Sequence, residues 1–130
     1  MDKKFKYLFT DSEKKPVTER DIHVYAAHVE KCAAYLAEHF TRPLTVSELA
    51  DHAGISRSQL YRAFMAVLGK TPKEYLTSYR IRKACLLLKQ SDLPVSEVAA
   101  QSGFESCSYF SKAFKKAIGT APLQYRHSGQ

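Results

Sequence analysis

The feature that most constrains this chain is an internal repeat. Residues 46–50 read VSELA and are followed by Gly54, and residues 95–99 read VSEVA and are followed by Gly103, an offset of 49 residues in both cases. A later block repeats at an offset of 50, so the second copy holds one extra residue. This block consists of Leu60, Ala63, Phe64, Gly69, Pro72 and Tyr75, which recur as Phe110, Ala113, Phe114, Gly119, Pro122 and Tyr125. Each copy has the pattern of a short helix, a turn with glycine and a longer helix, which is typical of a helix-turn-helix unit.

Local signals place the helices of the first copy. Thr45 and Glu48 have the spacing of a capping box, which predicts a helix that starts at about Val46. Gly54 supplies the backbone freedom for a tight turn, and the next helix is expected over about 56–68. Its inward face is predicted from helical spacing to hold Leu60, Phe64, Val67 and Leu68.

The side chains that point away from the packed face are the candidates for contact with DNA. In the first copy they are Arg57, Ser58, Gln59, Tyr61, Arg62 and Met65. In the second copy a helix over about 106–118 is expected to bury Phe110, Phe114, Ala117 and Ile118, and its outward residues are Cys107, Ser108, Tyr109, Ser111, Lys112, Lys115 and Lys116. Because arginine can bond two acceptors of guanine at once, Arg62 is predicted to read bases more sharply than Lys112. Lys115 and Lys116 are expected at phosphates.

The remaining segments are assigned from caps and composition. Residues 1–20 are expected to form a flexible arm or a linker remnant, and a first helix is predicted over about 21–40. A second capping box, Thr71 to Glu74, predicts a connecting helix from Pro72 to Lys89, which is about 27 Å long at 1.5 Å per residue. The expected domains are therefore 21–70, the connecting helix within 71–90, and 91–127, followed by a tail at 128–130.

The positive charge of the chain is concentrated. The formal net charge is +7, and residues 54–90 hold eight basic side chains against the single acid Glu74. Such a block favours a polyanionic partner, nucleic acid before membrane, although a solvated helix face has the same composition. Arg80, Arg82 and Lys83 are candidates for the DNA backbone, and the alternative for Arg80 is an internal ion pair with Glu48 or Glu97.

Cysteine and histidine spacing indicates neither a disulfide framework nor a metal site. Cys32, Cys85 and Cys107 are odd in number and far apart, which fits a reducing compartment. No apolar run approaches the roughly 18 residues of a membrane span, and the amino terminus lacks a signal-peptide core. The sequence therefore predicts a soluble, cytoplasmic protein with no metal, no other cofactor, no catalytic residues and no membrane partner.

Taken together, these motifs resemble the DNA-binding domain of the AraC/XylS family of bacterial transcription regulators. The resemblance spans about 23–126 and rests on the residues of both copies and on residues 79–88, which read YRIRKACLLL. It implies an all-α fold of about seven helices, with two helix-turn-helix subdomains joined by a long helix. The residues that would read the major groove are Ser58, Gln59, Tyr61 and Arg62, then Cys107, Ser108, Tyr109, Ser111 and Lys112.

The resemblance also implies partners. Members of the family usually activate transcription by touching RNA polymerase, so double-stranded DNA and RNA polymerase are the expected partners. Many members carry a separate amino-terminal domain for an effector or for dimerisation. The first 20 residues are too few for one, so the chain is either a stand-alone regulator or a carboxy-terminal fragment, and any such domain lies outside it.

Two other functions are alternatives for this sequence. A helical interaction module would use the same basic face to bind an acidic protein. An enzyme that accepts methyl groups on a cysteine is the weaker alternative, because Cys85 lies among predicted buried leucines and Cys107 has no neighbouring histidine or arginine to lower its pKa.

Overall fold

The structure, a computed structural model, describes residues 17–129. Most of the predicted arm, residues 1–16, lies outside the described residues, as does residue 130 of the predicted tail. Seven helices and no strand form the described part, which confirms the predicted all-α class. The helices are α1 (Glu19–His39), α2 (Val46–Ala53), α3 (Arg57–Leu68), α4 (Pro72–Gln90), α5 (Val95–Gln101), α6 (Cys107–Ile118) and α7 (Pro122–His127).

The described residues form two compact units. The first unit comprises residues 17–39 and Leu44–Tyr75, and the second comprises Phe40–Pro43 and residues 76–129. The first unit therefore contains α1, α2 and α3, and the second contains α5, α6 and α7. Helix α4 begins in the first unit and continues in the second. The segment Phe40–Pro43, which follows α1 in the chain, belongs to the second unit.

Helix α1 starts slightly earlier than the sequence suggested. The amide of Asp21 donates to Thr18 Oγ1 at 3.2 Å, and the amide of Thr18 donates to Asp21 Oδ2 at 3.0 Å. This reciprocal pair satisfies amides that have no partner inside the helix. The hydrogen bonds of Asp21 also lower the pKa of its carboxyl. Because the cap is Thr18, residues 19 and 20 belong to the helix and not to the predicted arm.

The predicted start and end of α2 are present. The amide of Glu48 donates to Thr45 Oγ1 at 3.0 Å, and α2 ends at Gly54, whose φ is +74°. Ser56 and Gln59 form a full capping box at the start of α3. Since Ser56 is the cap, α3 begins at Arg57, one residue later than the predicted span.

Helix α4 follows its prediction closely. The amide of Glu74 donates to Thr71 Oγ1 at 3.0 Å, and the amide of Thr71 donates to Glu74 Oε1 at 2.8 Å. Pro72 occupies the first helical position, where a missing amide costs nothing. The helix has 19 residues and ends at Gln90.

Each unit has its own apolar core. In the first, buried residues come from α1, α2 and α3: Val29, Cys32, Leu36, Leu49, Ala50, Ala53, Leu60, Ala63, Phe64 and Met65. In the second, the core is Ile81, Ala84, Leu88, Val98, Ala99, Phe104, Phe110 and Phe114. An aromatic pair repeats with the sequence: Phe64 meets Tyr75 edge-on at 5.6 Å between ring centroids, and Phe114 meets Tyr125 at 5.5 Å.

The last turns of α3 and α6 are less buried than predicted. Phe64 and Phe114 are fully buried, but Leu68 and Ile118 are exposed by 39% and 38%. Val67 is half-buried and Ala117 is exposed. The expected inward faces are therefore correct over the middle of each helix and wrong at its carboxyl end.

Candidate nucleic-acid interface

The first turn of α3 is exposed. Arg57, Ser58 and Gln59 are all exposed, and the amino-terminal residues of a recognition helix are the ones that contact base edges in helix-turn-helix proteins. Gln59 has a second task, because its Oε1 accepts from the amide of Ser56 at 2.9 Å. Arg57 and Ser58 are thus the most accessible of the predicted reading residues in the first unit.

The next residues of the predicted reading face are partly covered. Tyr61 and Arg62 are half-buried. Met65, which was expected on the outward face, is only 5% exposed. Helix α1 packs along α3 in this unit, and a helical wheel drawn from α3 alone does not include such a neighbour. Met65 is therefore a core residue and not a DNA-reading residue.

Helix α6 presents a wider exposed surface. Cys107, Ser108 and Tyr109 are exposed in its first turn, and Ser111 is half-buried. Three lysines, Lys112, Lys115 and Lys116, are exposed along the rest of the helix. Because α6 contains no acidic residue, this surface is cationic.

Tyr109 is anchored although it is exposed. Its side chain is 53% exposed, and its ring centroid lies 6.0 Å from that of Phe104. Phe104 is buried and also packs against Phe110 at 5.0 Å. The aromatic contact restrains the Tyr109 ring, while about half of the residue stays accessible to solvent.

Not all cations of the basic block are available to a partner. Arg80 donates from Nε to the carbonyl of Phe40 at 3.0 Å and from Nη2 to the carbonyl of Arg42 at 2.9 Å. The internal alternative for Arg80 was therefore wrong about its partners, which are backbone carbonyls and not Glu48 or Glu97. Contact of Arg80 with the DNA backbone stays a prediction. The proposed partners have other bonds: Glu48 accepts from Tyr35 Oη at 2.6 Å, and Glu97 accepts from Gln101 Nε2 at 3.3 Å.

Lys89 is a second internal cation. Its Nζ donates to the carbonyls of Ser128 and, at 3.4 Å, Arg126, and lies 4.8 Å from the centre of the Tyr125 ring. Arg126 in turn donates from Nε to the carbonyl of Leu88 at 3.0 Å. The carboxyl ends of α4 and α7 are thus joined by two cations, each of which bonds backbone carbonyls at the end of the other helix.

Arg82 and Lys83 lie on α4 beside aromatic rings. The Arg82 guanidinium is 5.5 Å from the centre of the Tyr79 ring, and Lys83 Nζ is 5.5 Å from Tyr79 and 5.9 Å from Phe40. Contacts of this kind are favourable by about 0.5–1 kcal/mol at exposed sites. They leave Arg82 exposed, so it stays a candidate for a polyanion.

The three thiols differ in burial. Cys32 is fully buried, and burial raises its pKa to about 11. Burial also raises the pKa of the half-buried Cys85, with Tyr125 as its hydrogen-bond partner. Cys107 is exposed at the start of α6. Raised thiol pKa values oppose nucleophilic chemistry at Cys32 and Cys85.

Residues 17–129 contain neither a candidate membrane span nor a candidate metal cluster. No helix there is long and apolar enough to cross a membrane, and no group of three or more histidine, cysteine or acidic side chains could hold a metal ion.

Comparison with known proteins decides the family. A family model described as a helix-turn-helix domain matches residues 49–128, which include most of the first repeat and all of the second. The chain belongs to the AraC/XylS family. It accordingly carries a helix-turn-helix DNA-binding domain of the type found in transcription regulators, as the sequence predicted.

Individual AraC/XylS relatives agree with this assignment. The chain is 40% identical over 88 residues to the uncharacterized regulator YdeC of Bacillus subtilis, covering 68% of the chain and 30% of YdeC. It is 29% identical over 124 residues to the lactose operon transcription activator of Staphylococcus xylosus, covering 95% of the chain and 44% of the activator. The chain thus spans less than half the length of these relatives.

One solved structure of a similar protein contains bound DNA. The DNA-binding domain of the global transcriptional factor AdpA, crystallised with a target DNA, superposes with a TM-score of 0.72 at 33% identity, over 76% of this chain and 88% of that one. The AdpA domain, to which this chain is similar, thus binds a target DNA.

Proposed function

We propose that this chain binds one duplex through both helix-turn-helix units, with α3 and α6 in successive major-groove segments, and that binding regulates bacterial transcription. The observation that carries the proposal is that the first turns of α3 and α6 are both exposed, at Arg57–Gln59 and at Cys107–Tyr109. Side chains in this turn are the ones that meet base edges when a recognition helix enters the groove.

The residues have distinct proposed roles. Arg57, Ser58 and Gln59 lead the contacts of α3, with Tyr61 and Arg62 at the edge of the contact. Cys107, Ser108, Tyr109, Ser111 and Lys112 line the α6 contact. Lys115 and Lys116 bind phosphates, because exposed lysines on a recognition helix contribute affinity without sequence information.

The two units present different side chains, which gives the target a direction. A cationic arginine opens α3, while Cys107 and Ser108 open α6. A monomer with two unlike reading helices selects a non-palindromic site, and a palindromic site would require a symmetric dimer.

Helix α4 is the proposed spacer. An uninterrupted helix of 19 residues is about 28 Å long. Major-groove segments on one face of B-DNA repeat at about 34 Å, so a helix of this length is of the size that such spacing needs.

Activation through RNA polymerase is the proposed outcome of binding. It is supported by the relative from Staphylococcus xylosus, which is named as a transcription activator. Transcription in vitro from a promoter that carries the selected site tests it: added protein is expected to raise transcript yield, and a fall would indicate a repressor.

Selection of bound sequences from a random duplex pool tests DNA recognition itself. Arg57→Ala is expected to relax preference at one position at a cost of about 1–3 kcal/mol, whereas Lys116→Ala weakens all sequences alike. Lys31→Ala, which removes an exposed lysine of α1, is the control and leaves the selected site unchanged. Failure to shift any duplex at low salt would favour the protein-interaction module instead.

Salt dependence measures the footprint. Contacts to about six phosphates give a slope of about −5 in a plot of log affinity against log salt concentration. A slope flatter than about −2 would contradict engagement of both units on one duplex.

A further inference from the structure

The second unit contains a clamp that has no counterpart in the first. Arg80 of α4 binds the carbonyls of Phe40 and Arg42, in the segment just past the end of α1. Carbonyls of a segment outside helices and sheets need partners from elsewhere in the chain, and charged donors form the stronger hydrogen bonds to such groups. One guanidinium therefore holds the segment Phe40–Pro43 in the second unit.

The same carbonyl of Phe40 fills the turn before α6. Gly103 has φ +92°, and a Cβ built on it would overlap the Phe40 oxygen and lie 2.8 Å from Arg80 Nε. Gly103 is thus required for two reasons: its backbone conformation and the space taken by the Phe40 carbonyl. The corresponding Gly54 of the first unit shares only the first reason, because a Cβ at Gly54 would meet nothing within 4 Å.

Arg80 also lies beside the turn that precedes α6, since a Cβ on Gly103 would be 2.8 Å from Arg80 Nε. Burial lowers the pKa of its guanidinium, while the charges of Glu105 and Tyr109 raise it. Glu105 lies one residue before the cap Ser106, and Tyr109 lies in the exposed first turn of α6. The guanidinium therefore bonds the held carbonyls and adjoins the turn before the reading helix.

Aromatic rings pack on both the Phe40 segment and the turn at Gly103. The Phe40 ring meets Tyr79 of α4 edge-on at 5.2 Å. On the other side, Phe104, next to Gly103, packs on both Tyr109 and Phe110. The turn is thereby held by Gly103 against the Phe40 carbonyl and by Phe104 against α6.

We propose that Arg80 and Gly103 are positioning residues for the second reading helix, which set the placement of the first turn of α6 through the Phe40 carbonyl. They contact no base themselves. The inference rests on the proposed function, and it predicts that their loss impairs the half-site read by α6 and spares the half-site read by α3.

The test uses the full chain and a duplex that carries the selected site. Lys112→Ala first identifies the half-site read by α6. Each half-site is then scrambled in turn, and the ratio of affinities for intact and scrambled duplexes gives one discrimination ratio for each half. Arg80→Ala is expected to reduce the α6 ratio by about tenfold, in the range of a lost bidentate base contact, and to leave the α3 ratio within about twofold. Arg80→Lys, which keeps a cationic donor, restores part of the loss.

Matched controls separate positioning from charge and from backbone strain. Lys31→Ala removes an exposed cation that has no proposed contact with DNA and leaves both ratios unchanged. Gly103→Ala is expected to act like Arg80→Ala on the α6 ratio. Gly54→Ala carries the same type of backbone strain without the steric overlap and leaves the α6 ratio unchanged.

The outcomes are distinct. A folded Arg80→Ala protein, judged by far-ultraviolet circular dichroism, that keeps its α6 ratio or loses both ratios equally would overturn the proposal. If Arg80→Ala does not fold, Arg80→Lys decides: a folded protein with wild-type ratios also overturns it. Wild-type ratios of about one for both halves would instead reject the proposed reading of DNA, whatever the clamp does.

Discussion

Where α3 buries Met65, α6 exposes Lys115 at the equivalent position of the repeat. The two helices have the same length, 12 residues, and both are capped by serine and end at a left-handed glycine. What differs is their neighbours, because α1 packs along α3 in the first unit. A duplicated sequence thus keeps its local plan, while packing decides which side chains remain free.

A charge at Met65 is the most disruptive way to probe this difference. Met65→Lys places the residue of α6 in the core of the first unit, where an unpaired ammonium is expected to cost about 3 kcal/mol or more. Urea unfolding followed by circular dichroism measures the change. The reverse substitution, Lys115→Met, lies on an exposed surface and is expected to stay within about 0.5 kcal/mol. Equal effects would mean that α1 does not cover α3 in solution.

The caps of the two short helices offer a second comparison. Thr45 caps α2 through its hydroxyl, whereas the equivalent Pro94 gives α5 no side-chain cap. Thr45→Ala is expected to destabilise the chain by about 1 kcal/mol. Thr45→Ser keeps the hydroxyl, so a comparable loss there would show that the hydroxyl is not what stabilises α2. Denaturant midpoints at constant m-value provide the measurement.

A buried hydroxyl distinguishes the turns. Ser102 is fully buried, and its Oγ has no hydrogen-bond partner. The first copy has Ala53 at the equivalent position. Ser102→Ala removes a polar group that folding strips of water, so it is expected to stabilise the protein by up to about 1 kcal/mol. A rise in the denaturant midpoint tests this, and a fall would reveal a partner for the hydroxyl.

Thiol reactivity compares the three cysteines without a substitution, so the smallest effect on the fold is expected. At pH 8 a thiol reagent is expected to modify exposed Cys107 first. Cys32 has a pKa of about 11, so its thiolate becomes abundant only as the pH rises towards that value, and Cys85 is shifted in the same direction. Peptide mass spectrometry identifies the modified residue. Specific duplex is expected to protect Cys107, whereas a scrambled duplex protects it less.

Features that depend on neighbouring residues in the chain were predictable. The caps at Thr45 and Thr71, the turn at Gly54 and the extent of α4 follow from short-range patterns, and the structure confirms them. The all-α class and the family follow from repeats of such patterns. Local sequence signals determine these features because capping bonds join residues three apart.

Features that depend on distant packing were not predictable. Met65 looked exposed because a helical wheel contains no information about α1. The partners of Arg80 were missed because a backbone carbonyl belongs to every residue and leaves no mark in the sequence. The glycine at 103 did signal a turn, but the need for space came from Phe40, which lies 63 residues earlier.

The covering of α3 by α1 also limits how the specificity of this chain can be redesigned or can evolve. Transplanting the whole of α6 into the first unit would carry Lys115 into an apolar interior. Exchange of residues 57–59 alone leaves that interior intact, so new operators are more readily acquired through the first turn than by swapping entire helices.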